Sequence, residues 1–197
     1  MEKINLILPQ HYDRRTNVEE TWQKDRLKSM LKHIAKEQNL ALNLRDWDKS
    51  GYANAKSSVI ITEEGNVLKR MERCDKKSKS KGRDSKAFDA NAYLSDGNKD
   101  LSIHFFLKYT KERGGIQDSI MFEVVKTTDN ISKNKNDNQL FFFLMEGDRW
   151  DSDEQLKNDR GFDNQKAVLL PTNSNNEEIQ DILNNYIFKF FNNYDQI

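Results

Sequence analysis

Cysteine is almost missing from this chain: Cys74 is the only one among 197 residues. Without a second thiol no intramolecular disulfide can form, and no cysteine-based zinc site can be built. That usage fits a reducing compartment, and the expectation is a cytoplasmic protein. Long apolar runs are missing too. None approaches the ~18 residues of a membrane helix, and the start, MEKINLILPQ, lacks an apolar stretch of the length a signal peptide needs. No membrane association is expected. The chain has no Gly-x-Ser-x-Gly, no glycine-rich loop ending in Lys-Ser/Thr and no Gly-x-Gly-x-x-Gly. Serine hydrolases, nucleotide hydrolases and dinucleotide enzymes therefore fall away. The three histidines, His11, His33 and His104, show no metal-ligand spacing, which argues against zinc.

What is present is charge. Basic and acidic side chains number 32 each, so the formal net charge is zero, while apolar residues make up 36%. The length suits one domain over residues 1–197 with a sizeable core, and the apolar residues are clustered, which argues against a wholly disordered chain. The zero balance hides an asymmetry. Segment 69–86, KRMERCDKKSKSKGRDSK, carries nine basic side chains (Lys69, Arg70, Arg73, Lys76, Lys77, Lys79, Lys81, Arg83 and Lys86) against three acids. Such a basic loop reads either as a solvated segment or as a phosphate-binding arm.

Periodicity yields an element order. INLIL (4–8) is a short strand closed by Pro9. Residues 19–38 read as a helix, because Trp22, Leu27, Met30, Leu31 and Ile34 recur at three- and four-residue steps. SSVIIT (57–62), the turn EEGN and VLKRM form a hairpin. KAFDANAYL (86–94) and LSIHFFLKYT (101–110) are antiparallel strands around Asp96-Gly97. Gly114-Gly115 breaks the chain, IQDSIMFEVVK (116–126) is a helix, and NISKNKNDN is a polar loop. QLFFFLM (139–145) and AVLLP (167–171) are strands covered on both faces. A short helix is expected between them, and a last helix runs from Glu177 to about Asn192, capped by Ser174 or Asn175. The sum is an α/β fold: a mixed central sheet, an antiparallel meander plus parallel strands, flanked by helices.

Parity along LSIHFFLKYT sends Leu101, Ile103, Phe105 and Leu107 to one face, and Ser102, His104, Phe106 and Lys108 to the other. Asp89 shares a face with Asn91 and Tyr93 on the preceding strand, so Asp89 and Lys108 can meet across the hairpin. On the following helix, Glu123 and Gln117 border the apolar face of Ile116, Ile120 and Val124. Two carboxylates and a lysine around one point suit phosphodiester hydrolysis. The carboxylates hold a hard divalent cation, which polarises the phosphate and acidifies a water, and the lysine orients or deprotonates that water or steadies developing charge. Each residue also has a plain reading: Lys108 as a solvated strand end, Glu123 as a helix-surface acid, Gly114-Gly115 as a turn, and His104 as a polar residue on a half-buried face.

An Asp on one strand of a meander and a Lys near the end of the next resembles the PD-(D/E)xK nuclease superfamily. "LSIHFFLKYTKERGGIQDSIMFEVV" followed by "LFFFLMEGDRW" looks like its type II restriction endonucleases, over roughly residues 86–171. Two positions depart from the pattern. Phe88 stands where members usually carry proline before the first Asp, and Phe106 stands where the second acid belongs, two residues before the lysine. One variant of the family moves that acid to the next helix, which would be Glu123, 15 residues after Lys108. The resemblance thus implies Asp89, Lys108 and Glu123 as catalytic residues, Asp89 and Glu123 as ligands of Mg²⁺, and Gln117, Asp118 and His104 as supporting residues. A rival register uses Asp118, Glu123 and Lys126, which would lie on different faces of one helix. The implied substrate is double-stranded DNA, contacted by the basic segment and by Lys111 and Arg113, with helix 19–38 (Lys24, Arg26, Lys28, Lys32, Lys36) near DNA or at a dimer contact. Cutting both strands implies a homodimer. The alternative is a catalytically inactive DNA- or protein-binding module on the same fold, for which Phe106 is the best support. Nothing in the sequence recommends a hydrolase or transferase of unrelated class.

Overall fold

The computed structural model describes residues 17–44, 47, 59–69, 87–109, 116–146, 162, 166–171 and 176–192, with backbone alone for 17–20, 109 and 116–121. The expected strand at 4–8, the short helix before AVLLP and the cap at Ser174 or Asn175 lie outside the described residues.

The elements run α1 (Asn17–Glu37), β1 (Ala41–Asn43), β2 (Val59–Ile61), β3 (Val67–Lys69), β4 (Ala90–Ser95), β5 (Asp100–Tyr109), α2 (Ile116–Ser132), β6 (Gln139–Glu146), β7 (Ala167–Leu170) and α3 (Asn176–Phe191). Five strands form one mixed sheet in the order β1-β4-β5-β6-β7, and β2 and β3 make a separate hairpin. β1, β4 and β5 are antiparallel neighbours, whereas β5, β6 and β7 are parallel. The expected mixed α/β architecture is the observed one.

Strand parity explains the layers. Ala90, Ala92, Leu94, Leu101, Ile103, Phe105, Leu107, Phe142 and Leu144 point to one face and pack under Leu27, Leu31 and Ile34 of α1 and Ile179, Leu183 and Ile187 of α3. Phe106, Phe141, Phe143, Met145, Ala167 and Leu169 point to the other, beneath Val124 and Ile131 of α2 and Val59 and Ile61 of β2. The unbroken run FFFLM therefore feeds two cores by turns, and Phe141 to Met145 are all fully buried.

The turns obey local chemistry. Between β4 and β5, Asp96 Oδ1 accepts from the N–H groups of Lys99 at 2.7 Å and Asn98 at 2.8 Å. Those two bonds hold the Asp96 carboxyl below its ordinary range, the Lys99 bond contributing most. In the β2–β3 turn Gly65 has φ +83°, and a Cβ there would sit 2.5 Å from the Lys133 carbonyl carbon, so only glycine fits.

One element is longer than its sequence suggested. α2 continues through TTDNIS to Ser132 instead of ending near Lys126. Thr127 and Thr128 are poor helix formers, yet their hydroxyls donate back to the carbonyls of Glu123 at 2.7 Å and Val124 at 3.2 Å. Burial of Ile131 and of both threonines outweighs the weak propensity. Helix α1 also departs from expectation at Arg26, which is buried rather than offered to a partner's backbone.

Candidate active site

The residue before β4 and the end of β5 do meet. Asp89 sits in a bend leading into β4, and its N–H donates to the Phe105 carbonyl at 2.8 Å. Its Oδ2 accepts from the Leu107 N–H at 2.8 Å and lies 3.5 Å from Lys108 Nζ. The side chains of Lys108 and Asp89 are 13% and 18% exposed, so the pair is sheltered but reachable. A backbone N–H and an ammonium on one oxygen keep the carboxylate oriented.

Phe106, on the same face of β5, is fully buried. Its ring packs against Phe143 with centroids 5.3 Å apart, and Lys108 Nζ lies 4.9 Å from the Phe106 centroid. The position therefore has no room to hold a solvated acid.

Glu123 lies on α2, the helix that covers this face through Val124 and Ile131. It is half-buried and its Oε2 is shielded from solvent. Thr127 and Asn130, one and two turns further along the same stripe, are buried, and Asn130 Nδ2 donates to the Ile61 carbonyl of β2 at 3.4 Å. β2 in turn accepts the Phe88 N–H at the Val59 carbonyl, 2.9 Å away. The stripe that carries Glu123 is thus turned toward the strand next to which Asp89 enters the sheet. Helix α2 connects two parallel strands, so it runs back from the Lys108 end of β5, and Glu123 falls in its first half.

His104 is buried rather than half-buried, at 2% exposure. Its Nδ1 lies 2.8 Å from Asn91 Oδ1, and with a carbonyl oxygen opposite, the neutral ring carries its proton there. Phe88 and Phe141 flank the ring, with centroids 5.3 and 5.2 Å away. Its Nε2 finds no hydrogen-bond partner among the described residues. Burial pushes the imidazole pKa down to about 3. His104 is therefore a neutral ring, tied to Asn91 and withdrawn from solvent, and its described contacts are with Asn91, Phe88 and Phe141.

A further set of polar residues lies below the site and gave little signal in the sequence. Glu146 ends the apolar strand β6 and is buried against α1, where Arg26 Nη1 meets its Oε1 at 2.6 Å. Gln23 Nε2 donates to Glu146 Oε2 at 2.9 Å and reaches the Lys108 carbonyl at 3.4 Å. The available clue was that Gln23 stands on the apolar stripe of α1, four residues before Leu27 and seven before Met30.

Asp89 and Lys108 are thus brought together, while Glu123 stands on the helix that covers this face of the sheet, its stripe facing β2. The side chains of Gln117 and Asp118, and with them the rival register, lie outside the described residues, as do Lys111, Arg113 and the basic positions from Arg70 to Lys86. Lys69 ends β3 and is exposed. A hard cation needs one or two carboxylates and keeps several waters, and Asp89 with Glu123 fits that donor set. Among the described residues no cluster of three His, Cys, Asp or Glu side chains is assembled, so water and phosphate oxygens would complete the shell. No described helix is long and apolar enough to cross a membrane. Comparison with protein-family models, with curated proteins and with solved structures gave no match.

Proposed function

We propose that this chain is a Mg²⁺-dependent endonuclease of the restriction type, hydrolysing phosphodiester bonds in double-stranded DNA at a specific sequence. The observation that carries the reading is the sheltered Asp89–Lys108 pair, 3.5 Å apart, where an antiparallel meander passes into parallel strands. Asp89 and Glu123 would hold the cation, which when bound supplies a Lewis acid for the phosphate and an acidified water. Lys108 steadies the charge that develops on the phosphate. Leu107 N–H keeps Asp89 aimed. The basic segment 69–86, just before Asp89 in the chain, would follow the duplex backbone. A symmetric homodimer would present two such sites, one per strand.

A second reading, a catalytically inactive DNA- or protein-binding module, is favoured by the phenylalanine at position 106. Incubation of plasmid DNA with the protein and Mg²⁺ separates the two. Discrete bands from the wild type, lost with Lys108→Ala and with Glu123→Ala, support the nuclease. Binding of DNA without cleavage in Mg²⁺ or Mn²⁺ supports the module.

A further inference from the structure

Phe106 replaces an acid in the expected motif, yet its ring has a role an acid would share. Its face lies 4.9 Å from Lys108 Nζ, and the same nitrogen is 3.5 Å from Asp89 Oδ2. The ring cannot turn aside, because it is fully buried and packed on Phe143. A cation within ~6 Å of an aromatic face is attracted by the ring quadrupole, the more so where water is thin. Lysine otherwise has a flexible four-carbon stem with many rotamers to lose.

We infer that Phe106 is a positioning residue for Lys108: its ring face seats the ammonium beside Asp89. The inference rests on the nuclease reading of this site and deepens it. An acid at this position could both bind a cation and orient the amine; Phe106 can do only the second, and the first would fall to Asp89 and Glu123. The departure at this position then costs a ligand without releasing the lysine.

The test uses the full chain with mono-, di- and trifluorophenylalanine at position 106, which drain the ring quadrupole while nearly preserving its shape, together with Phe106→Leu. Proton NMR reads the Lys108 ε-methylene signals, and plasmid cleavage in Mg²⁺ reads kcat and KM. Thermal melts check that each variant folds. The expected result has three parts. The Lys108 ε-protons of the wild type lie upfield, as protons over a ring face do, and return to their ordinary position in Phe106→Leu. Across the fluorinated series kcat falls stepwise, by about 2- to 30-fold in all, the span that a cation–π contact commands. KM for DNA and the melting temperature stay level. Unshifted ε-protons in the wild type, or a kcat that stays flat as fluorine is added, overturn the inference. Should the wild type cut no DNA, the nuclease reading falls by itself, and the ε-proton shift still decides whether Phe106 seats Lys108.

Discussion

His104 should make this protein sensitive to mild acid in a way that one substitution removes. In the native state its pKa is about 3, against about 6.5 for an unperturbed histidine. Well above pH 6.5 the ring is neutral whether the chain is folded or not, so the group contributes no pH slope there. Below that value the unfolded chain takes up a proton that the folded one refuses. Stability then falls as the pH drops, until the native ring also titrates near pH 3. The slope is about 1.4 kcal/mol per pH unit for one proton. Going from pH 6.5 to pH 5 removes about 1.6 kcal/mol, a sizeable part of the roughly 5–15 kcal/mol typical of a domain. Urea unfolding followed by circular dichroism at pH 7, 6, 5 and 4 measures this for the wild type and for His104→Gln. The amide of glutamine keeps a donor for Asn91 Oδ1 and does not titrate. Contributions from groups other than residue 104 are common to both proteins and cancel in the difference. The gap between the two curves should change by about 1.4 kcal/mol per unit below pH 6.5. Parallel curves would refute the reasoning and place the protonated ring comfortably inside the fold.

Three further outcomes follow from the same geometry. Glu146→Gln withdraws the counter-charge of buried Arg26 and should cost about 3–5 kcal/mol, whereas Arg26→Met with Glu146→Leu should lie near the wild type or above it; thermal melts of both decide. Gly65→Ala puts a Cβ against the Lys133 backbone at a φ of +83°; the midpoint of urea unfolding should report a loss of at least about 1–3 kcal/mol, the usual strain at such a position. Asp89→Asn leaves the Leu107 N–H with an acceptor but removes the charge, so melting should move little while plasmid cleavage in Mg²⁺ is lost; cleavage equal to wild type would remove Asp89 from the site.

The lesson for reading such a chain lies in particular elements. The alternation of LSIHFFLKYT placed Lys108 on the face of Phe106 and His104, and register against β4 bears this out through the Asn91–His104 pair. The seat of Lys108 on Phe106 was hidden, because a missing acid draws attention away from what fills its place. The end of α2 was hidden as well. TTDNIS looks like a loop by composition, and the helix persists there because it packs on β2 and β7, each more than thirty residues away in the chain. Gln23, Arg26 and Glu146 were individually unremarkable, since their meeting joins positions more than a hundred residues apart.

By itself the sequence determined the mixed α/β class, the strand faces, the hairpins and the segments around Asp96 and Gly65, because periodicity and turn chemistry act over a few residues. Tertiary structure alone decided that α1 grips the end of β6 by a buried ion pair, that His104 is sealed and neutral, and that the Glu123 stripe turns toward β2. Those outcomes depend on which surfaces come to exclude water together, and that is settled only when elements far apart in the chain pack.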